Sequence, residues 1–345
     1  MKRLRTIVVA MFAVLIAGAY ALPAGAVDGS SAALSIVPKK NYSIKPGGSV
    51  KDKLIIRNLS TTQSLHLTLR VIDFTYYGED GTPKLFLAKD APQTTWSLKP
   101  FMTVGKSVDI GPGKSKSVPM RIAIPAGHGA GSYYSAIIYS GGPGQGSGQV
   151  GLSASGVTLV FVTVPGKVKE DIQLKKLGAY DTGSGSYHFI MTQTPKNIGY
   201  TIQNKGNVVE SPVGSITLKD MFGHTTTIDD VNPASSLALI GQTRTFTPCI
   251  KYKTDGKTQG SQMHANGCDT APLWPGLYHA TVDLFYGQNG NNTQEVVKNA
   301  VFWYLPWWFI IIMLIIIAVI AYYIWKFTRK VKGKVNGPKR LSRRR

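Results

Sequence analysis

Residues 305–325 contain no charged side chain, and a helix of that length spans ~31 Å, the hydrocarbon thickness of a bilayer. Such a segment must either be buried on every side in a core or lie in lipid, and core helices are seldom apolar all round. The flanks favour lipid. Trp303, Tyr304, Trp307 and Trp308 crowd one end and Tyr322, Tyr323 and Trp325 the other, as amphipathic rings do at headgroup level. Pro306 stands where a helix can begin without losing a needed N–H. A transmembrane helix is expected over 305–325.

The stretch that follows, 326–345, carries ten cations from Lys326 to Arg345 and no acid, so the positive-inside rule makes it a cytoplasmic tail. The other end reads as a secretory signal over 1–26: Lys2, Arg3 and Arg5, an apolar run, then Ala24-Gly25-Ala26 as an A-x-A cleavage site. The expectation is a single-pass membrane protein with its N-terminal ectodomain outside. The formal charge of +21 is mostly topological, because 13 of the 39 Lys and Arg lie in those two ends and +8 remains between them. That residue of charge does not point to nucleic acid, but it fits an anionic polymer of a cell envelope.

Cys249 and Cys268 are the chain's two cysteines. In an oxidising compartment they are expected to pair, closing a loop too polar to bury itself, for about 3 kcal/mol in the chain-entropy model. A metal site joining them to His264 would lack ligand spacing.

Between the ends the pattern has period two. "SLHLTLRVID", "SVPMRIAI" and "LYHATVDLFYG" alternate apolar with polar side chains, the mark of strands with one buried face. Turn clusters such as "KPGGS", "GEDGTP" and "NKGN" separate them. The plan also repeats. Asn58 precedes Gly131-Ser132-Tyr133 as Asn204 precedes Gly276-Leu277-Tyr278, about 145 residues on. The expected fold is all-β, with two tandem immunoglobulin-like sandwiches at 30–166 and 167–304 followed by one helix. Tyr133 and Tyr278 are expected as structural tyrosine corners.

The sequence offers no catalytic constellation. Residues 146–151 spell G-x-G-x-x-G, yet "GVTLVFVTV" follows, a strand where a dinucleotide site requires a helix. The six histidines never fall at ligand spacing, and the carboxylates are scattered. No enzyme, metal or cofactor is expected. Recognition remains. Phe74, Tyr76 and Tyr77 enter the "GEDGTP" turn and are the candidates to stack on sugars, whereas Trp96 is expected in the core. A rival reading, a chaperone-like or assembly subunit, would need an unpaired apolar strand edge, for which "GVTLVFVTVPG" is the candidate. A third, an accessory subunit of a membrane complex, would need a helix built for recognition. The helix instead has no polar residue beyond flanking tyrosines and no small-xxx-small seam.

"SIVPKKNYSIKPGGSVKDKLIIRNLS", "VIDFTYYGEDGTPK", Trp96 and "IGPGKSKSVPMRIAIPAGHGAGSYYSAIIY", then "WPGLYHATVDLFYG" and "FWYLPWWFIII" with a basic tail, resemble the WxL-interacting proteins of Gram-positive cell surfaces across nearly the whole chain. The resemblance implies a non-catalytic adhesion or scaffold protein. Its first domain would bind peptidoglycan, and its second would meet a secreted WxL-type or other surface protein.

Overall fold

The computed structural model describes residues 34–88, 90–141, 155–253, 267–287 and 293–335. The expected signal, the G-x-G-x-x-G run, His264 and the tail beyond 335 lie outside the described residues.

The chain first forms β1 (Leu34–Ile36), β2 (Lys39–Ser43), β3 (Ser49–Asn58), β4 (Leu65–Ile72), β5 (Phe74–Tyr77), β6 (Thr82–Leu85), β7 (Met102–Val104), β8 (Ser107–Ile110), β9 (Ser115–Ala123), β10 (Gly131–Gly141) and β11 (Ser155–Val164). A sheet of order β1-β3-β9-β7 faces one of order β2-β11-β10-β4-β8, and β5 and β6 form a separate hairpin. Period-two patterning decides which side chains go inside. β3 buries Leu54 and Ile56 and exposes Lys53, Ile55 and Arg57; its inward set meets Leu65, Leu67, Ile137 and Val160 of the facing sheet.

The remaining strands are β12 (Ile172–Asp181), β13 (Ser186–His188), β14 (Ile190–Met191), β15 (Asn197–Asn204), β16 (Val213–Asp220), β17 (Thr225–Ile228), β18 (Thr243–Phe246), β19 (Gly276–Tyr286) and β20 (Gln294–Tyr304). They make a second pair of sheets, β13-β12-β15-β18 and β14-β20-β19-β16-β17, around a core of its own that includes Ile202, Leu218, Val282 and Phe302. The two halves share one topology. β1, β2, β3, β4, β8, β9, β10 and β11 take the places of β12, β14, β15, β16, β17, β18, β19 and β20, and even the parallel pairs β2 with β11 and β14 with β20 recur.

The residues that mark the repeat do the same physical work in both halves. Asn58 and Asn204 are fully buried at the ends of β3 and β15. Asn58 Nδ2 donates to the carbonyls of Gln63, Ile110 and Gly111 while Oδ1 accepts the Ser60 N–H. Asn204 Nδ2 donates to the carbonyls of Val208 and Ala238 while Oδ1 accepts the Gly206 N–H. Each side chain thus satisfies loop backbone that would otherwise be buried unpaired. Tyr133 Oη donates to Gly129 O at 3.0 Å and Tyr278 Oη to Trp274 O at 2.8 Å, each four residues back. Cys249 and Cys268 are disulfide-bonded, with Cα atoms 5.2 Å apart.

A single helix, α1 (Trp307–Val335), closes the described chain. Its segment Trp307–Arg329 is long and apolar enough to cross a membrane, and none of it is buried against protein. It begins two residues later than the expected 305, because Leu305 N–H still donates to Met191 O and so belongs to the sheet.

Replacing Asn58 or Asn204 by Ala strands buried carbonyls and is expected to cost about 2–3 kcal/mol in either half. Chemical denaturation of the purified protein checks this; a change within error for both would show that water replaces the amide without penalty.

Candidate functional site

The first sandwich does not stand alone. β10 is buried along nearly its whole length, because its two faces serve two different clusters. Tyr133, Ile137 and Tyr139 enter the first core. Tyr134, Ala136 and Ile138 join Ile72, Phe74 and Phe161 in a cluster that Val209, Leu239 and Ile240 of the second sandwich complete. Phe74 sits at its centre, with ring centroids 5.3 Å from Tyr134 and 5.9 Å from Phe161. Just before it, the buried carboxylate of Asp73 accepts from Thr94 N–H, Ser97 Oγ and Ser135 Oγ, which fixes where the chain leaves β4 for the hairpin.

The β5–β6 hairpin then straps the two sandwiches together. Thr245 N–H donates to Glu79 O at 2.7 Å and Thr245 Oγ1 to the Glu79 carboxylate at 2.9 Å. Tyr76 N–H donates to Gln242 Oε1, and Gln242 Nε2 to Thr75 Oγ1. On the other flank Ser132 N–H donates to Asn207 O, Asn207 Nδ2 to Ala130 O and Val209 N–H to Ser132 Oγ.

This packing corrects the expected aromatic site. Phe74 is 1% exposed and cannot stack on a ligand. Tyr76 is half-buried under the Arg244 guanidinium, 4.9 Å from its ring. Of the three only Tyr77 is exposed. It borders an open groove of about 530 Å³ shared with Glu79, Asp80, Tyr180 and Thr247. The Asp80 carboxyl is held below its ordinary range by the Thr82 N–H and hydroxyl, so this groove stays acidic. A smaller cavity of about 180 Å³ under the hairpin is bordered by Lys39 and Arg244; burial, then repulsion from Arg244, pulls the Lys39 amine down.

The outer face of the β1-β3-β9-β7 sheet is of opposite character. Alternation along β3 and β9 turns Lys51, Lys53, Arg57 and Arg121 outward. Lys51 lies directly opposite Arg121 in the register, a like-charge pair that opposes folding. None of the four makes an ion pair among the described residues. Lys51, Lys53 and Arg121 border a shallow groove of about 470 Å³ floored by Thr103, Val104, Gly105 and Pro119. Asp52, the carboxylate beside it, is taken by Lys40 Nζ and Tyr42 Oη, both at 2.5 Å; these bonds hold its carboxyl down at about 2. Sequence reasoning missed these four cations, although the outward phase of "SVKDKLIIRN" and "SKSVPMRIA" carries them.

The apolar edge expected at "GVTLVFVTVPG" is not an edge. β11 lies between β10 and β2, whose Lys39–Ser43 run pairs in parallel with 159–163, leaving 155–158 with one strand neighbour among the described residues. A partner from 120 residues upstream is invisible to local pattern. No group of His, Cys, Asp and Glu able to hold a metal occurs among the described residues.

No family model and no curated protein matches the chain. Among solved structures it is similar to the class 5 fimbriae chaperone CfaA, at 11% identity over 77% of this chain and 98% of that chain, with TM-score 0.37. A chaperone–tip adhesin complex of CFA/I fimbriae biogenesis matches at 10% identity over 77% and 97%, TM-score 0.37. The E. coli chaperone DraB matches at 10% over 77% and 97%, TM-score 0.33.

Two outcomes follow from the junction. Phe74→Ala should cost about 3–5 kcal/mol and split one calorimetric unfolding transition into two; a single unshifted transition would mean that the sandwiches are coupled by other contacts. Glu210, 2% exposed beside the junction, has its carboxyl pushed up to about 8 by burial, then by Glu170, against the Gly287 N–H that favours the anion. Its folded value is raised, so the stability it contributes is full below about 4.5 and is lost as pH rises through about 8. Glu210→Gln should flatten that decline in thermal midpoint over the same window, and an unchanged slope would assign the decline to other groups.

Proposed function

We propose that this chain is a membrane-anchored, non-catalytic surface protein whose first sandwich holds an anionic polymer of the cell envelope. In this reading both sandwiches are immunoglobulin-like, α1 is the anchor, the ectodomain lies outside and the basic tail inside. The observation that carries it is the cationic outer face of the first sandwich, where Lys51, Lys53, Arg57 and Arg121 are all exposed. Four like charges on one flat face, with the neighbouring Asp52 already occupied, repel one another until an anion sits between them. A cell-wall polymer bearing carboxylates or phosphates supplies repeating charges at sheet-like spacing. The resemblance to WxL-interacting proteins points to the same role and adds peptidoglycan as the wall component and a surface protein as second partner.

A second reading is an assembly subunit that offers strand edge to an exported protein. What favours it is the stretch 155–158, whose strand partner among the described residues is β10; four residues make a short template for strand addition. Proteins co-purifying with the chain and cross-linking to that stretch would support it.

The first reading is tested by sedimentation with purified cell walls across a salt series, using the parent and the quadruple variant K51Q/K53Q/R57Q/R121Q. Retention should weaken roughly tenfold or more in the variant, and that of the parent should fall as salt rises. Equal retention of parent and variant would remove this face from the function.

A further inference from the structure

We infer that the end of the second sandwich nearest α1 is itself a membrane-binding surface, whose exposed side chains Phe189, Ile190, Met221, Phe222 and Trp274 insert into the outer interface of the bilayer that α1 spans. These side chains are between 53% and 61% exposed. Singly, exposed apolar residues need no explanation; grouped on one end of a domain, they mark an interaction surface.

The sheet register places all five at one end. Tyr304, the last residue of β20, is partnered by Gly276 on one side and Met191 on the other. Phe189 O accepts the Trp303 N–H at 2.7 Å, so Phe189 and Ile190 lie beside the end of β20. Asp220, at the end of β16, pairs with Tyr278, and the turn that follows brings Met221 and Phe222 against Gly276. A Cβ on that glycine would meet Met221 Sδ at 2.8 Å and Phe222 Cε2 at 3.9 Å. Trp274 lies two residues before Gly276, its ring stacked on His224 at 6.2 Å, and His224 is held by the Asp220 carboxylate at 2.7 Å.

The tether selects the occupant. Leu305 N–H is still bonded to Met191 O and α1 starts at Trp307, so only Pro306 separates sheet from helix. One residue reaches less than ~4 Å. Trp307 and Trp308, both exposed at the top of α1, belong at headgroup level. The end of β20 is therefore held within a few ångströms of the interface, and the five apolar side chains share that depth. Phe and Trp on loops of this kind partition into the headgroup boundary. A lipid surface is thus continuous with the surface that α1 already occupies.

The inference rests on α1 spanning the bilayer, and the experiment separates the two. The cysteines of the native chain are paired with each other, so an introduced cysteine in the oxidised full-length protein takes an environment-sensitive fluorophore alone. F189C, F222C, V213C and L314C are labelled and reconstituted in nanodiscs with lipids spin-labelled at the headgroup or deep in the acyl chain. L314C reports α1; V213C, exposed at the opposite end of β16, reports solvent. The expected result is a blue shift at F189C and F222C with loss of emission to the headgroup quencher, no loss at V213C, and loss at L314C to the deep quencher. Unquenched F189C and F222C beside a quenched L314C would overturn the inference and leave the anchor standing. A blue shift without lipid quenching would assign the surface to a protein partner or second copy instead. An unquenched L314C would overturn both.

Discussion

The contact on which the rest depends is the burial of Phe74 between the sandwiches. Its ring packs on Tyr134 and Phe161 in a cluster closed by Val209, Leu239 and Ile240. Full burial of an aromatic side chain is worth on the order of 2–3 kcal/mol, and here it is shared between two domains. Without it, the outer face of the β2-β11-β10-β4-β8 sheet would be a large apolar patch in water. With it, the hairpin, the Glu79–Thr245 bonds and the Asn207 flank hold the sandwiches in one relation.

That relation assigns roles to the remaining surfaces. One sheet of the first sandwich gives its outer face to the junction; the other keeps its outer face open and basic, with Lys51 and Arg121 in register. In the second sandwich the strands run from a junction end, where Asn204, Asn207 and Glu210 lie, to the end that leads into α1. The 11-residue strands β19 and β20 span about 35 Å, so they separate the junction from the end that leads into α1 by roughly one domain length. The basic face and the exposed apolar side chains at the α1 end therefore lie on different sandwiches.

Much of the fold was legible because one-sided burial writes itself into sequence with period two. β4, β9 and β19 alternate, and their alternation predicts them as strands. β10 does not alternate, since both its faces are covered, and local pattern gives no account of that. The same blindness produced the error at Phe74. Alternation predicts that some rings of "DFTYYG" turn away from their own core, and they do; what they turn toward is a neighbouring domain rather than solvent. Strand edges were illegible for a related reason, because β2 covers β11 by a parallel pairing that spans the whole first sandwich.

By itself the sequence determined the all-β plan, its repetition and the apolar helix that follows it, because periodicity, turn residues and an uncharged run are local properties of a chain. It also determined the pins of that plan: Asn58 with Asn204 and Tyr133 with Tyr278 were visible as matched positions before their hydrogen bonds were. Only the tertiary structure decided which outward faces are covered and which are free. Two side chains of the same phase on one strand, Phe74 and Tyr76, differ in burial by where the second sandwich packs. Likewise Phe189, Phe222 and Trp274 lie far apart in sequence and share one end of the second sandwich only because the pairing of β14, β16, β19 and β20 brings their ends together.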